Sequence, residues 1–180
     1  MDVVDALDQT FAHAAGVIAG VRAVQLGDAT PCAEWTVRDL LEHMIGVVAG
    51  IGASAAGQPP TAFELGSDPA GQFATASAAS LEAWRQPGVL DQIVDGPGGQ
   101  MPGQVLASIN LLDTATHAWD LATATKQPAE LPDGVADAAM EASRMIVTDE
   151  LRPGRFDAEQ AVPSSASPTQ RLVAFLGRTG

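Results

Sequence analysis

Residues Gly103–Thr125, GQVLASINLLDTATHAWDLATAT, show the pattern that decides the fold. Their apolar side chains recur at intervals of three and four residues, which is typical of one face of an α-helix and unlike the strict alternation of a strand. The apolar positions are Val105, Leu106, Ile109, Leu112, Leu121 and Ala124. The pattern therefore predicts a long helix over this stretch.

Helical spacing recurs on both sides of it. Capping residues mark several ends: Thr36 can cap one helix, Pro69 fits the first turn of another, and Gly177 ends the last. Five further helices are predicted, over about residues 3–25, 36–56, 68–86, 132–146 and 167–176. The chain is therefore expected to be all-α.

Residues 89–94, with the glycine-rich turn that follows at 95–99, are the only stretch that favours strands. Four long helices with short or medium links are typical of a helical bundle. A chain of 180 residues is enough for one domain but not comfortably for two. We predict a single domain over residues 1–180, a four-helix bundle with extra short helices and at most one small β-hairpin.

Composition excludes several classes of partner. The chain has 22 acidic and 9 basic residues, a net charge of −13, which would repel phosphate backbones and anionic membranes. We therefore expect no nucleic acid and no membrane partner. The single cysteine, Cys32, excludes an internal disulfide framework, and the acidic N-terminus is unlike a signal peptide. These features favour a cytoplasmic protein.

Three polar residues interrupt the predicted apolar faces. Asp113 and His117 lie four residues apart and share one face of their helix, while His43 points with the apolar face of another. Two histidines and a carboxylate from two helices form an open ligand set suited to zinc, nickel, iron or manganese. The alternative is an Asp113–His117 salt bridge on a helix surface with His43 buried alone. Spacing by itself does not separate the two.

The roles of two neighbouring residues stay open from spacing alone. Asp120 lies near the face of His117, where its carboxylate could hold a histidine N–H, form a hydrogen bond toward the N-terminus of the helix, or simply be exposed. Cys32 stands at a predicted helix N-terminus, about 16 Å from His43 at helical rise. A helix N-terminus favours a thiolate, so Cys32 is an alternative source of the thiol. We expect it instead to pack as a small apolar side chain near Trp35, and not to be a ligand unless the chain turns back.

Three segments carry a more specific resemblance. Residues 30–43 (TPCAEWTVRDLLEH) resemble the T-P-C-x-x-W-x-V-x-x-L-x-x-H segment of a family of DinB-like metal-binding proteins. Residues 113–122 (DTATHAWDLA) resemble its D-x-x-x-H-x-W-D-L-A segment, and residues 171–178 (RLVAFLGR) its L-V-A-F-L-G-R terminus. The resemblance is to an actinobacterial-type branch, related to the N-terminal domain of mycothiol-dependent maleylpyruvate isomerase.

The resemblance implies a DinB-like four-helix bundle with a divalent metal, usually zinc, held by His43, Asp113 and His117. It also implies a metal-bound thiolate, and hence a mycothiol-type thiol S-transferase or isomerase acting on a small-molecule electrophile. The isomerase-type motif has glutamate where this chain has the shorter Asp113. The isomerase also has an additional C-terminal domain that 180 residues do not accommodate, so maleylpyruvate itself is not implied.

The alternative function is a non-catalytic metal-binding or protein-interaction helical bundle. Its Ala-rich helix faces and low charge fraction would serve a homodimer interface equally well. No sequence feature distinguishes the two functions, but a measurement of activity does.

Overall fold

The computed structural model describes residues 1–179. The helices are α1 (Val3–Ala19), α2 (Val37–Ala55), α3 (Pro69–Trp84), α4 (Gly103–Thr125), α5 (Val135–Ile146) and α6 (Pro168–Phe175), and a hairpin of β1 (Ile93–Gly96) and β2 (Gly99–Pro102) precedes α4. The prediction of an all-α fold with one small hairpin is confirmed.

The four long helices form a closed bundle. Helix α1 packs against α3 and α4, and α2 packs against the same two helices, so that the four enclose one apolar core. Leu7, Leu40, Met44 and Leu106 are fully buried there. Each such side chain contributes about 1.5–3 kcal/mol on leaving water. Helix α5 lies against α4, and α6 lies against α5.

A capping box fixes the start of α2. The Thr36 hydroxyl accepts the Asp39 N–H at 3.3 Å, and the Asp39 carboxylate accepts the Thr36 N–H at 2.9 Å. These two bonds satisfy donors that the first turn of a helix leaves unpaired. The helix therefore begins at a fixed residue, and His43 is presented to α4.

Helix α1 ends at Ala19, earlier than the predicted residue 25. The Gln127 amide, which follows α4, donates to the carbonyl of Val17 at 2.9 Å, and Gly20 lies so close to Gln127 that a Cβ there would clash. The last turn of α1 is thus capped by another part of the chain. A short 3-10 turn, Ala23–Gln25, follows in its place.

The hairpin begins later than the sequence indicated. Residues Val89–Asp91 form a 3-10 turn, and the paired segment runs from Ile93 opposite Pro102 to Gly96 opposite Gly99. Val89 is buried, which explains its apolar character without a strand. No helix within residues 1–179 is long and apolar enough to cross a membrane.

Candidate metal centre

Helices α2 and α4 bring the three predicted ligands together. Nε2 of His43 lies 3.2 Å from Oδ1 of Asp113, and Nε2 of His117 lies 3.6 Å from the same oxygen. The three potential ligand atoms are all within 4.8 Å of one another. The His43 side chain is 31% exposed and that of His117 only 12%, so solvent reaches the group from the α2 side.

The geometry of this group suits a divalent cation. Bonds of about 2.0–2.2 Å to a tetrahedral zinc place neighbouring N and O ligands about 3.3–3.6 Å apart. The observed separations of 3.2 and 3.6 Å are close to these values. The second oxygen of Asp113, Oδ2, is buried and has no hydrogen-bond partner within residues 1–179. A buried carboxylate oxygen without a partner is costly, and a cation would supply the missing interaction.

The Asp113–His117 ion pair of the alternative is present, but its placement on a helix surface with His43 buried alone is wrong. Asp113 and His117 face the inside of the bundle, and His43 contacts Asp113 directly. Burial would lower the pKa of His117, but the charge of Asp113 and hydrogen bonds with Asp120 and Cys32 outweigh it and raise that pKa to about 10. Burial likewise opposes ionisation of Asp113, yet His117 and His43 hold the pKa of this carboxyl below its usual value.

Asp120 is fully buried and contacts the other nitrogen of His117. Its Oδ2 lies 3.0 Å from Nδ1, and Arg178 donates to both of its oxygens, from Nε at 3.0 Å and from a terminal nitrogen at 2.9 Å. Burial would raise the pKa of Asp120, but His117 and Arg178 lower it to about 2. The carboxylate therefore orients the imidazole, and the alternative of solvent exposure is wrong.

Cys32 packs against the core as expected, but the distance predicted between it and the candidate centre is wrong. Its Sγ lies 3.2 Å from Oδ2 of Asp120 and 3.7 Å from Nδ1 of His117, so the thiol borders the candidate centre. The predicted separation assumed a helix before Thr36, whereas this segment is a loop that turns back. The amide of Trp35 donates to the carbonyl of Cys32 at 3.1 Å, and Glu34 has a positive φ of 66°. Pro31 and the capping box were the signals for a loop here.

Trp35 covers the two histidines. The centre of its ring lies 4.7 Å from the His43 ring and 5.9 Å from the His117 ring, and the two imidazoles are nearly perpendicular to each other at 4.8 Å. Sequence reasoning assigned no function to Trp35. Two signals for it were its place in the loop directly before the α2 cap and its match to the tryptophan of the family's segment, but the contact itself depends on how the loop turns.

A cavity of about 710 Å³ opens beside His43. Trp35 and Phe63 supply aromatic surface, and the charged side chains that line it are all acidic, namely Glu34, Asp39 and Glu42. In the part of the chain that the structure describes, no lysine or arginine lines it. The cavity is large enough for a small-molecule ligand, and its charge favours neutral or cationic ones.

These features define a class of protein: a helical bundle in which two histidines and one carboxylate lie together, with one of the histidines lining a surface cavity. The family model for the mycothiol maleylpyruvate isomerase N-terminal domain matches residues 7–122, and the chain belongs to this family.

Two curated proteins of Mycobacterium tuberculosis are similar over nearly the whole chain. They are the uncharacterized proteins Rv0738, from strain ATCC 25618 / H37Rv, and MT0763, from strain CDC 1551 / Oshkosh. Each is 40% identical over 172 residues, which cover 92% of this chain and 91% of the relative. No solved structure matches the chain at a significant level.

Proposed function

We propose that the chain binds one divalent metal ion through His43, Asp113 and His117 and acts as a thiol-dependent S-transferase or isomerase. The thiol would be mycothiol or a similar small thiol, and the second substrate a small-molecule electrophile. The proposal rests most directly on Asp113, whose Oδ1 faces both histidines and whose buried Oδ2 has no partner. Membership of a family named for mycothiol supports the choice of thiol.

Each residue of the centre has a part in this proposal. A bound divalent cation lowers the pKa of a thiol and keeps it as a nucleophilic thiolate near neutral pH. His43 and His117 offer Nε2 to the ion, and Asp113 balances part of its charge. Asp120 accepts the Nδ1–H of His117, which leaves Nε2 of that ring free to bind.

The cavity would hold the electrophile next to the thiol. In a transfer, the thiol loses its proton, a sulfur–carbon bond forms, and the leaving group departs with the bonding electron pair. In an isomerisation, the same bond forms and later breaks, so that the thiol is regenerated. Trp35 covers the histidines and limits the access of water to them.

Metal analysis of protein purified without an affinity tag tests the ligand set. We expect close to one metal ion per chain, retained after dialysis and lost in His43→Ala and His117→Ala. His13→Ala is the matched control, since His13 lies on α1 and is not among the grouped ligand residues. A metal-free wild type that does not rebind zinc, nickel, iron or manganese would contradict the proposal.

Activity separates catalysis from simple binding. Metal-loaded protein is assayed with low-molecular-weight thiols against epoxides, quinones, arylating and alkylating agents. Turnover that disappears in Asp113→Asn supports the enzyme. Metal binding without turnover across this panel would favour the alternative, a non-catalytic metal-binding or interaction bundle.

A further inference from the structure

A second group of three potential ligands lies on the other side of the His117 ring. Sγ of Cys32, Nδ1 of His117 and Oδ2 of Asp120 are within 4.8 Å of one another. The carboxylate oxygen is 3.0 Å from the nitrogen and 3.2 Å from the sulfur. A thiolate, an imidazole and a carboxylate are all good ligands for zinc. Geometry alone therefore gives His117 two competing sites, one at each ring nitrogen.

Arg178 contacts only one of these two groups. Its guanidinium occupies both oxygens of Asp120, at 3.0 and 2.9 Å, and a terminal nitrogen lies 3.9 Å from Sγ of Cys32. A cation at Nδ1 would have to share Asp120 with this guanidinium and approach its positive charge closely. The group at Nε2 has no arginine or lysine contact among the described residues, and it holds the unpaired Oδ2 of Asp113.

We propose that Arg178 is a positioning residue that decides which of the two sites around His117 takes the metal. By holding Asp120, it keeps that carboxylate as the acceptor of the Nδ1–H and excludes a cation from the side of Cys32. The metal is thereby directed to Nε2 and to the cavity beside His43. This inference rests on the proposed metal site. It adds that Arg178 selects this site over the one at Nδ1 of His117.

Arg178 lies outside the part of the chain matched by the family model, which ends at residue 122. Arg178 follows α6, and α6 is held in place partly by Arg152, which donates to the carbonyl of Phe175 at 3.1 Å. The C-terminal segment therefore contributes to the choice of metal ligands and not only to the stability of the bundle.

The test is the absorption spectrum of Co²⁺-loaded protein in the absence of added thiol, since cobalt bound by a cysteine thiolate shows a near-ultraviolet charge-transfer band. The proteins compared are the wild type, Arg178→Gln, Arg178→Lys and the double variant Arg178→Gln/Cys32→Ser. Glutamine keeps a hydrogen-bond donor and removes the charge, whereas lysine keeps the charge. Arg171→Gln is the matched control, because Arg171 lies on α6, shortly before Arg178 in the chain, but donates to the carbonyl of Ala166.

We expect the thiolate band to be absent in the wild type, Arg178→Lys and Arg171→Gln. It should appear in Arg178→Gln in proportion to bound cobalt and disappear in the double variant. Cobalt bound by folded Arg178→Gln with an unchanged spectrum would overturn the selection by Arg178 and leave the proposed function standing. A thiolate band in the wild type would overturn it as well. A wild type that binds no cobalt would overturn both.

Alkylation of Cys32 by iodoacetamide tests the same inference in the unmodified chain, should Arg178→Gln fail to fold. Stoichiometric Zn²⁺ should change the alkylation rate by less than about tenfold, because the thiol is not a ligand. Complete protection of Cys32 by zinc would overturn the inference.

Discussion

At the scale of the residue, the candidate centre depends on a carboxylate that is not a ligand. Asp120 is fully buried, holds Nδ1 of His117 and is held by Arg178. Carboxylates in this position fix the tautomer and the orientation of a ligand histidine. Under the proposed function, the contribution of Asp120 should therefore be visible as metal affinity, although Asp120 is not one of the three proposed ligands.

Asp120→Asn should weaken zinc binding by about 10–100-fold, as is usual when the partner of a ligand histidine is changed. Competition with a chromophoric chelator measures the affinity. Asp8→Asn is the matched control, because Asp8 forms an exposed ion pair with Arg85 and should bind zinc like the wild type. Equal affinity in Asp120→Asn and the wild type would show that Asp120 does not orient His117.

His13 gives a pH prediction that does not involve the centre. Its Nε2 is buried without a hydrogen-bond partner, and burial lowers the pKa of His13 below its usual value. The unfolded chain therefore binds a proton at this residue more readily, so the contribution of His13 to stability should fall as the pH drops through the unfolded histidine value of about 6.5, opposite in sign to the contribution of the His117–Asp113 pair. The wild type should therefore lose stability relative to His13→Gln as the pH falls, measured by urea unfolding of chelator-treated protein from pH 7.5 to 5. Parallel curves for the two proteins would contradict the assignment.

At the scale of the element, periodicity and capping predicted the helices well but not every end. The caps at Thr36 and Ser167 are local signals, and both helices begin where they indicate. The end of α1 is set by Gln127, which is more than a hundred residues away in sequence. No local pattern could predict that contact.

The capping box of α2 gives a stability prediction. Thr36→Ala removes the side-chain acceptor at the start of the helix and should lower the free energy of unfolding by about 1 kcal/mol. Denaturant unfolding measures this value. Thr75→Ala is the control, since Thr75 is exposed within α3 and its hydroxyl only donates back to the carbonyl of Gly71. A loss at Thr36 no larger than at Thr75 would contradict a role for the cap.

Contacts between residues distant in sequence also limited what could be predicted of the candidate centre. The spacing of Asp113 and His117 on one helix predicted that their side chains lie together. The place of His43 on an apolar helix face predicted that it points toward the core. The resemblance to a known family joined all three. Cys32 and Arg178 could not be placed there, because a turning loop and the docking of the C-terminal helix bring them to Asp120.

At the scale of the whole molecule, charge predicts which ligands the cavity beside His43 would accept. The net charge is −13, and the charged side chains lining the cavity beside His43 are acidic. Such a field repels anions and attracts cations. The single domain over residues 1–180, the homodimer and the cytoplasmic location stay predictions.

A matched series of thiols tests this charge preference. Cysteamine is cationic, N-acetylcysteamine neutral and N-acetylcysteine anionic, and we expect the metal-loaded protein to bind them with affinity decreasing in that order. Added salt should reduce the difference, as should the double variant Glu34→Gln/Glu42→Gln, because both weaken the field of the cavity. Tighter binding of N-acetylcysteine than of cysteamine would contradict the preference.

The central claim is that His43, Asp113 and His117 hold a metal, and melting temperatures from pH 6.5 to 9, with zinc or with chelator, test it most directly. Without metal, His117 has a pKa raised to about 10, so the stability from its pair with Asp113 is complete below the unfolded value of about 6.5 and is lost as the pH rises through 10. The chelated protein should therefore melt lower as the pH rises. Metal must displace the proton of His117, so stabilisation by zinc should grow with pH over the same range. Melting temperatures that fall with rising pH regardless of zinc would contradict the metal site.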